Sequence, residues 1–190
     1  MKLFINSGSP FARKVRIVVR EIGLLPRVEE IFTVPVDSPP DLVAANPLVQ
    51  IPALIDDDGV CWTDSALICA RLANDGNGDA DWAVRRLEVL GDGILEMCVK
   101  MVLENRRPEH ERSPFWLKRW QDNMVRGFAV ADGLCPAPDV YDQGAMTLAV
   151  AATYCDFRYP HIDWRSVAPK VAALQEVMEK RQSFIDTYPK

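Results

Sequence analysis

Apolar and polar residues alternate in two different periods along the first third of the chain, and each period predicts a different kind of element. Residues 2–6 are rich in β-forming side chains and predict a short strand. A helix is expected next, because Ser9 suits its cap, Pro10 suits its first turn and Gly23 supplies a stop. The apolar stripe of this helix comprises Phe11, Val15, Val18, Val19 and Ile22.

Further strand-like segments follow this helix, separated by turn residues. Together with the first, the predicted strands are residues 2–6, 28–33, 51–55 and 60–62. Residues 40–45 predict a short helix, and the acidic turn at residues 56–59 predicts a β-hairpin between the last two strands. A longer helix is expected to open at Asp64 or Ser65.

The order of these elements predicts the fold class. A helical crossover returns the second strand parallel to the first, and the later hairpin is antiparallel, so we expect a mixed four-stranded sheet flanked by helices. Beyond it only helical periodicity is convincing, at residues 82–106, 114–134, 146–157 and 167–181. The run of Asn, Asp and Gly at residues 74–79 is linker-like. The sequence therefore predicts an α/β domain at residues 1–75, a linker at 76–80 and an all-α domain at 81–190.

The size and net charge of the chain limit the classes of function that it can have. The chain has 190 residues, 48% of them hydrophobic, which is ample for a sizeable core. Its net charge of -5 argues against a nucleic-acid or membrane-surface partner, because phosphate-rich partners select basic faces. The N-terminal residues lack the apolar region of a secretory signal, and no apolar run approaches the length of a membrane span.

Cysteine and histidine usage indicates neither disulfides nor a metal site. The five cysteines are scattered, with no Cys-x-x-Cys spacing, which fits reduced thiols in a cytoplasmic protein. The two histidines, His110 and His161, lie far apart with no ligand spacing around them. We therefore expect no metal cofactor and no His-dependent nucleophile.

Three starts of helices or strands are candidate ligand-binding positions. Ser9 opens a helix after a strand, where unpaired N–H groups and the helix dipole stabilise an anion such as a thiolate. A cis bond before Pro52 would turn the backbone of Ile51 towards a peptide-like ligand, and an ordinary trans proline is the alternative. Asp64 and Ser65 suit the charged end of an amino-acid ligand. Helix capping alone also explains Ser9, Asp64 and Ser65.

These three stretches resemble the bacterial glutathione S-transferase family in their order and spacing. The resembling stretches are Ser9-Pro10-Phe11-Ala12-Arg13-Lys14, Asn46-Pro47-Leu48-Val49-Gln50-Ile51-Pro52-Ala53-Leu54 and Trp62-Thr63-Asp64-Ser65-Ala66-Leu67-Ile68. The resemblance covers nearly the whole chain. It implies a thioredoxin-like N-terminal domain with a cis proline at Pro52, an all-α C-terminal domain and a homodimer.

The resemblance also implies which residues bind glutathione. Ser9 would hydrogen-bond the sulfur, and the backbone of Ile51 would pair with the cysteinyl unit. Asp64 and Ser65 would hold the γ-glutamyl end. The implied glutathione-binding residues are Ser9, Phe11, Gln50, Ile51, Pro52, Asp64 and Ser65. Asp92 is implied as a contact to the partner subunit's glutathione, and a helix-surface acid is the alternative.

Two positions depart from the family pattern. Val49 stands where many relatives have Lys, which removes one contact to the glycine carboxylate of glutathione. The expected helix start at Thr147 has Val150 where the family's capping box usually ends in Asp. Neither departure changes the family that the chain resembles.

The activity that the resemblance implies is glutathione transfer. The bound thiol would lose its proton near Ser9, and the thiolate would attack a small, hydrophobic electrophile. Two alternatives stay open: a glutathione-dependent disulfide reductase or lyase, and a non-catalytic binding protein with the same fold. The acceptor site is not assigned, since its candidate residues match ordinary helix packing equally well; they are Met97, Met101, Trp116, Trp120 and Tyr154.

Overall fold

The computed structural model of the chain describes residues 1–73 and 81–190 and divides into two units. Their bounds are Met1–Ala80 with Arg181–Lys190 for the first unit, and Asp81–Lys180 for the second. The predicted linker, residues 76–80, lies outside the described residues, so the predicted domain limits stay a prediction. The structure nevertheless groups Arg181–Lys190 with the first unit, whereas the sequence pattern attached this segment to the helical part.

The first unit is built on the predicted mixed sheet. Its strands are β1 (Lys2–Ile5), β2 (Glu29–Phe32), β3 (Ala53–Ile55) and β4 (Cys61–Trp62). Its first three helices are α1 (Pro10–Glu21), α2 (Pro40–Ala45) and α3 (Ser65–Leu72). The four strands lie in the order β2-β1-β3-β4, with β1 parallel to β2 and every other pair antiparallel. The predicted fold class of this unit is confirmed, with strands one or two residues shorter than predicted.

Helix α1 forms where the sequence predicts it. Ser9 is its N-cap and Pro10 occupies its first turn, and Gly23 just beyond its end has a φ of +71°, a conformation that favours glycine. The stripe buries Val15, Val18 and Val19 against the rest of the unit. Ile22, the last position of the predicted stripe, is instead the C-cap and is exposed.

The C-terminal segment, defined as Arg181–Lys190, packs against α1 within the first unit. The last predicted helix is wrong in its bounds, because α7 (Pro169–Met178) ends early and a separate helix α8 (Gln182–Asp186) follows. Phe184 and Thr187 of this segment are completely buried. Burial of these side chains in the first unit explains why the chain does not continue as one helix.

A carboxylate on α1 secures this segment. Glu21 accepts a hydrogen bond of 3.0 Å from Arg181 Nε and another from the hydroxyl of Ser183. The hydrogen bond from Arg181 is the main cause that holds the pKa of Glu21 below its ordinary value, although partial burial opposes it. The ion pair therefore favours the ionised carboxylate in the folded protein.

The structure describes every residue of the second unit, 81–180, and this unit contains helices and no strand. Its helices are α4 (Trp82–Asn105), α5 (Pro114–Leu134), α6 (Gln143–Arg158) and α7. Helix α6 is the most buried, with every residue from Gly144 to Cys155 inside, and it packs against α4 and α7. A Cβ on Gly91 of α4 would lie 2.8 Å from Thr147 Cγ2, so this glycine permits the close approach of α4 and α6.

The predicted start of α6 is wrong by one turn. Asp142 is the N-cap, and its side chain accepts a hydrogen bond of 2.7 Å from the backbone N–H of Ala145. Thr147 is therefore a buried residue inside the helix rather than its first cap. The apolar pattern begins only at Met146, and for this reason it conceals the earlier polar start.

The N-terminus of α7 is capped by a residue from another helix. Its own N-cap position is Ala168, which has no side-chain acceptor. Asp132 of α5 fills this role, since one carboxylate oxygen accepts hydrogen bonds of 2.6 Å from Lys170 N and 3.3 Å from Val171 N. This carboxylate therefore joins α5 to α7.

We predict that Asp132→Ala lowers the free energy of unfolding by about 1–2 kcal/mol, the cost of losing an N-cap. Urea denaturation followed by circular dichroism measures this change. Asp122→Ala is the matched control on the same helix, because Asp122 makes only an exposed ion pair with Lys118. An equal loss of stability in both variants would contradict the capping role of Asp132.

We also predict a pH-dependent difference between the wild type and Glu21→Gln. The folded pKa of Glu21 is lowered, so its contribution to stability is present above the ordinary glutamate pKa and is lost as the pH falls through the folded value. The midpoint of thermal unfolding should therefore be higher in the wild type at neutral pH, and the two midpoints should converge in acid. A difference that does not depend on pH would show that the ion pair is not its source.

Candidate functional site

The register of the sheet brings the three candidate stretches to one edge. Phe4 of β1 lies opposite Ala53, the first residue of β3, and Leu54 lies opposite Trp62, the last residue of β4. The carboxyl end of β1, the amino end of β3 and the carboxyl end of β4 therefore coincide. Since Ser9 follows β1, the Ile51-Pro52 pair precedes β3 and Asp64 follows β4, all three lie at this edge, which we name the site edge.

Ser9 sits in a loop that is fixed by hydrogen bonds. Its backbone N–H donates to Asn6 O at 3.0 Å, and the side chain of Asn6 bonds both Gly8 N, at 2.9 Å, and Thr33 O, at 3.2 Å. The hydroxyl of Ser9 accepts a hydrogen bond of 3.2 Å from Ala12 N and caps α1. A hydroxyl that accepts in this way keeps its own proton, so Ser9 remains able to donate to a ligand.

The loop before β3 is organised by Asn46, a residue for which the sequence pattern predicts no individual role. Its side chain is 4% exposed and donates to Gln50 O at 2.9 Å, while its carbonyl oxygen accepts from Leu48 N at 3.1 Å. Between these contacts Val49 has a φ of +54°, which a β-branched residue rarely adopts. The Ile51–Pro52 peptide bond that follows is cis, as the family resemblance implied. In the sequence, the Asn46-Pro47 pair was the available signal for this role.

Asp64 and Ser65 open α3 at the same edge. The Thr63–Asp64 peptide bond is also cis, and Asp64 Oδ1 accepts hydrogen bonds from Ala66 N at 3.1 Å and Leu67 N at 3.2 Å. Asp64 is exposed, and its other carboxylate oxygen has no hydrogen bond to any residue that the structure describes. Ser65 is 3% exposed, so little of this residue is accessible from outside. The capping explanation is thus correct for Asp64, and one oxygen is left over for a ligand.

The electrostatics of the site edge favour an anion. Helices α1 and α3 both begin there, and each presents the positive end of its dipole, although the caps already bond Ala12 N, Ala66 N and Leu67 N. The side chains differ in exposure, because Pro52 and Ser65 are buried, Ser9, Phe11 and Ile51 are half-buried, and Gln50 and Asp64 are exposed. The edge can therefore receive a carboxylate or thiolate beside donors, and an ammonium group beside Asp64.

The other candidate residues lie in the second unit. Asp92 is half-buried on α4, and its contact to a partner subunit stays a prediction. Of the suggested acceptor-site residues, Met101 and Tyr154 are buried, as ordinary core side chains are. Trp116 is 46% exposed, and its ring stacks on that of Trp120 with centroids 5.6 Å apart.

No metal centre is evident in the parts of the chain that the structure describes. Within residues 1–73 and 81–190, no group of three or more His, Cys, Asp or Glu side chains is arranged to hold a metal ion. None of the helices in these ranges is long and apolar enough to cross a membrane.

Comparison with known proteins agrees with this architecture. Residues 8–75, which contain all three stretches of the site edge, match the family described as "Glutathione S-transferase, N-terminal domain". A glutathione transferase family member from Pseudomonas fluorescens Pf-5 superposes with a TM-score of 0.91 at 32% identity, over 100% of this chain and 98% of the other. The chain belongs to the glutathione S-transferase family.

Two further relatives match this chain over nearly the whole of their own length. A glutathione S-transferase from Methylobacterium radiotolerans is 32% identical with a TM-score of 0.88, and the match covers 99% of this chain and 94% of that one. An uncharacterized GST-like protein, YibF of Escherichia coli, is 29% identical over 100% of this chain and 98% of its own length. The Pseudomonas structure contains bound glutathione, and the Methylobacterium structure contains glutathione sulfonate. The family and its two-part architecture are thereby established for this chain.

We predict that Asn46→Ala lowers the free energy of unfolding by about 1–3 kcal/mol, because it removes two partly buried hydrogen bonds, one to Gln50 O and one from Leu48 N. Asn46→Asp should cost part of this, since it keeps the acceptor for Leu48 N but loses the donor to Gln50 O. Chemical denaturation measures both. Gln121→Ala, which removes an exposed amide on α5, is the control and should change stability little. Equal stability of Asn46→Ala and the control would contradict the role of Asn46.

Proposed function

We propose that this protein binds glutathione at the site edge and activates its thiol for attack on a small, hydrophobic electrophile. The observation that carries the proposal is the register of the sheet, which sets Ser9, the Ile51-Pro52 pair and the Asp64-Ser65 pair at one edge with two helix N-termini. Glutathione is an extended peptide with a carboxylate at each end, a free amine and a thiol. The γ-glutamyl carboxylate, the amine, the cysteinyl backbone and the thiol each have a suitable partner at the edge.

The peptide part of glutathione would bind through backbone and carboxylate groups. Ile51 would exchange backbone hydrogen bonds with the cysteinyl unit, as an added strand does at a sheet edge. The open carboxylate oxygen of Asp64 would accept from the γ-glutamyl ammonium, and the backbone N–H and hydroxyl of Ser65, at the positive end of α3, would donate to its carboxylate. Gln50 and Phe11 would complete the contacts. Pro52 would shape the backbone between them.

Ser9 would stabilise the glutathione thiolate. Its hydroxyl accepts from Ala12 N and therefore points its own proton away from the helix, where the sulfur would lie. A charge-assisted hydrogen bond together with the α1 dipole lowers a thiol pKa by about one to two pH units, since one unit corresponds to about 1.4 kcal/mol. The resulting thiolate is the reactive nucleophile at neutral pH.

The chemical step needs no further redox partner. The sulfur lone pair forms a bond to an electrophilic carbon, and either a leaving group departs with its electron pair or a proton from water completes an addition. Disulfide reduction by a cysteine at this point is disfavoured, because Ser9 cannot form a mixed disulfide. A homodimer in which Asp92 approaches the partner's glutathione, and a cytoplasmic role in detoxification, are further parts of this proposal and rest on family membership.

The chain offers its own control for testing Ser9. Ser113-Pro114-Phe115 repeats Ser9-Pro10-Phe11 at the start of α5, and Ser113 caps that helix by accepting from Trp116 N at 3.4 Å. We predict that Ser9→Ala and Ser113→Ala each cost about 1 kcal/mol of stability. Only Ser9→Ala should raise the pKa of the bound thiol, by about one pH unit, and lower kcat/KM about tenfold or more.

Ultraviolet titration of the bound thiolate and steady-state conjugation assays measure these effects. A thiol pKa equal to that of free glutathione in the wild type would overturn the mechanism. Saturable binding without turnover of electrophiles of several classes would identify a non-catalytic binding protein. Turnover of disulfides or ethers alone would identify the reductase or lyase.

A further inference from the structure

The C-terminal segment holds α1 at both of its ends. At the far end, Glu21 bonds Arg181 and Ser183, as described above. Near the start of the helix, Arg13 donates from Nη2 to the backbone carbonyl of Phe184 at 3.1 Å. Arg13 and Phe184 are almost completely buried, at 3% and 0% exposure.

Arg13 also contacts the aromatic rings of the segment. Its guanidinium carbon lies 5.3 Å from the ring centre of Phe184 and 5.6 Å from that of Tyr188. These distances are within the range of cation–π attraction, and the planar guanidinium is suited to bonding and stacking at once. The contact is therefore specific for arginine in its geometry.

The same residue is bonded directly to Ser9. The backbone N–H of Arg13 donates to Ser9 O at 3.0 Å, the first intrahelical hydrogen bond of α1. Arg13 thus links Ser9 to Phe184: its backbone N–H bonds Ser9, and its side chain bonds Phe184. A shift of Arg13 would move the carbonyl of Ser9, and with it the direction of the Ser9 hydroxyl.

We propose that Arg13, held by the C-terminal segment, is a positioning residue for Ser9 in the activation of glutathione. The inference rests on the proposed function and adds to it a requirement for residues 181–190, which lie far from Ser9 in sequence. Arg13 acts through Ser9 and makes no contact with the ligand itself. Displacement of a donor by a fraction of an ångström weakens a hydrogen bond to a thiolate and leaves the fold intact.

The test compares variants of the full chain by the pKa of bound glutathione. Arg13→Met removes the bond to Phe184 O, and it should raise the bound thiol pKa by about one pH unit and weaken glutathione binding about tenfold. Arg13→Lys keeps a charge and a donor, and it should give an intermediate value. Phe184→Leu keeps the backbone acceptor and loses the ring, so it should also raise the pKa, by a smaller amount.

Two control variants separate positioning from stability. Glu21→Gln loosens the same segment at the opposite end of α1, and Ile185→Ala truncates a side chain of α8 that is 53% exposed. Both should leave the bound thiol pKa at the wild-type value, although Glu21→Gln lowers the unfolding temperature. A purely structural role of Arg13 would lower the unfolding temperature of its variants without moving the thiol pKa.

The possible results lead to different conclusions. A wild-type thiol pKa equal to that of free glutathione would overturn the proposed function and this inference with it. A second result is a wild-type thiol pKa below that of free glutathione. If Arg13→Lys and Phe184→Leu, or a folded Arg13→Met, then show the same pKa as the wild type, only the positioning role is overturned. A graded rise across these variants, with both controls unchanged, would support the inference.

Discussion

The placement of β1 between a parallel and an antiparallel neighbour is the constraint on which the candidate site depends. Its backbone groups pair with β2 on one side and β3 on the other, and Leu3 and Ile5 are buried. Because one strand sets both registers, a slip of a single residue would turn these side chains to the opposite face and misalign the site edge. Burial of the core and assembly of the site are therefore enforced by the same hydrogen bonds.

Helix α1 carries this constraint into chemistry. Its start presents Ser9 at the edge, its buried face packs within the first unit, and Arg16 and Arg20 bond Glu30 of β2. Its contacts through Arg13 and Glu21 run to the C-terminal segment, so the first unit includes residues 181–190. An N-terminal unit cut from the chain before residue 181 would lack these contacts. The N-terminal family match alone therefore does not delimit the folding unit.

The second unit is organised around a buried helix, and its polar contacts serve its own packing. Gly91 lets α4 approach α6, and Asp132 caps α7 from α5. Aromatic residues at the start of α5 are exposed, and Phe115 contacts Trp116 edge-on with ring centres 5.2 Å apart. These features hold a helical bundle together. The acceptor of the glutathione sulfur is not defined by them.

Local pattern in the sequence was sufficient for the elements whose signals are short in range. The capped start of α1 at Ser9-Pro10, the hairpin of β3 and β4, and the change from mixed to helical structure were predicted because capping and periodicity act within a few residues. The proposed glutathione contacts of Ser9, Pro52 and Asp64 rest on family resemblance, since helix capping by itself explains Ser9 and Asp64. The predicted start of α6 was wrong because its apolar run begins after the polar N-cap. The predicted end of α7 was wrong because the helical periodicity continues beyond Met178, where the helix ends.

Tertiary structure alone decided the interactions between residues distant in sequence. Asp132 capping α7 and Arg13 bonding Phe184 each join groups that no local pattern connects. The return of residues 181–190 to the first unit belongs to the same class. Such contacts form only once the sheet and helices have brought the partners together. The sequence by itself determined the kind and order of the helices and strands, and the assembled fold determined which polar groups meet.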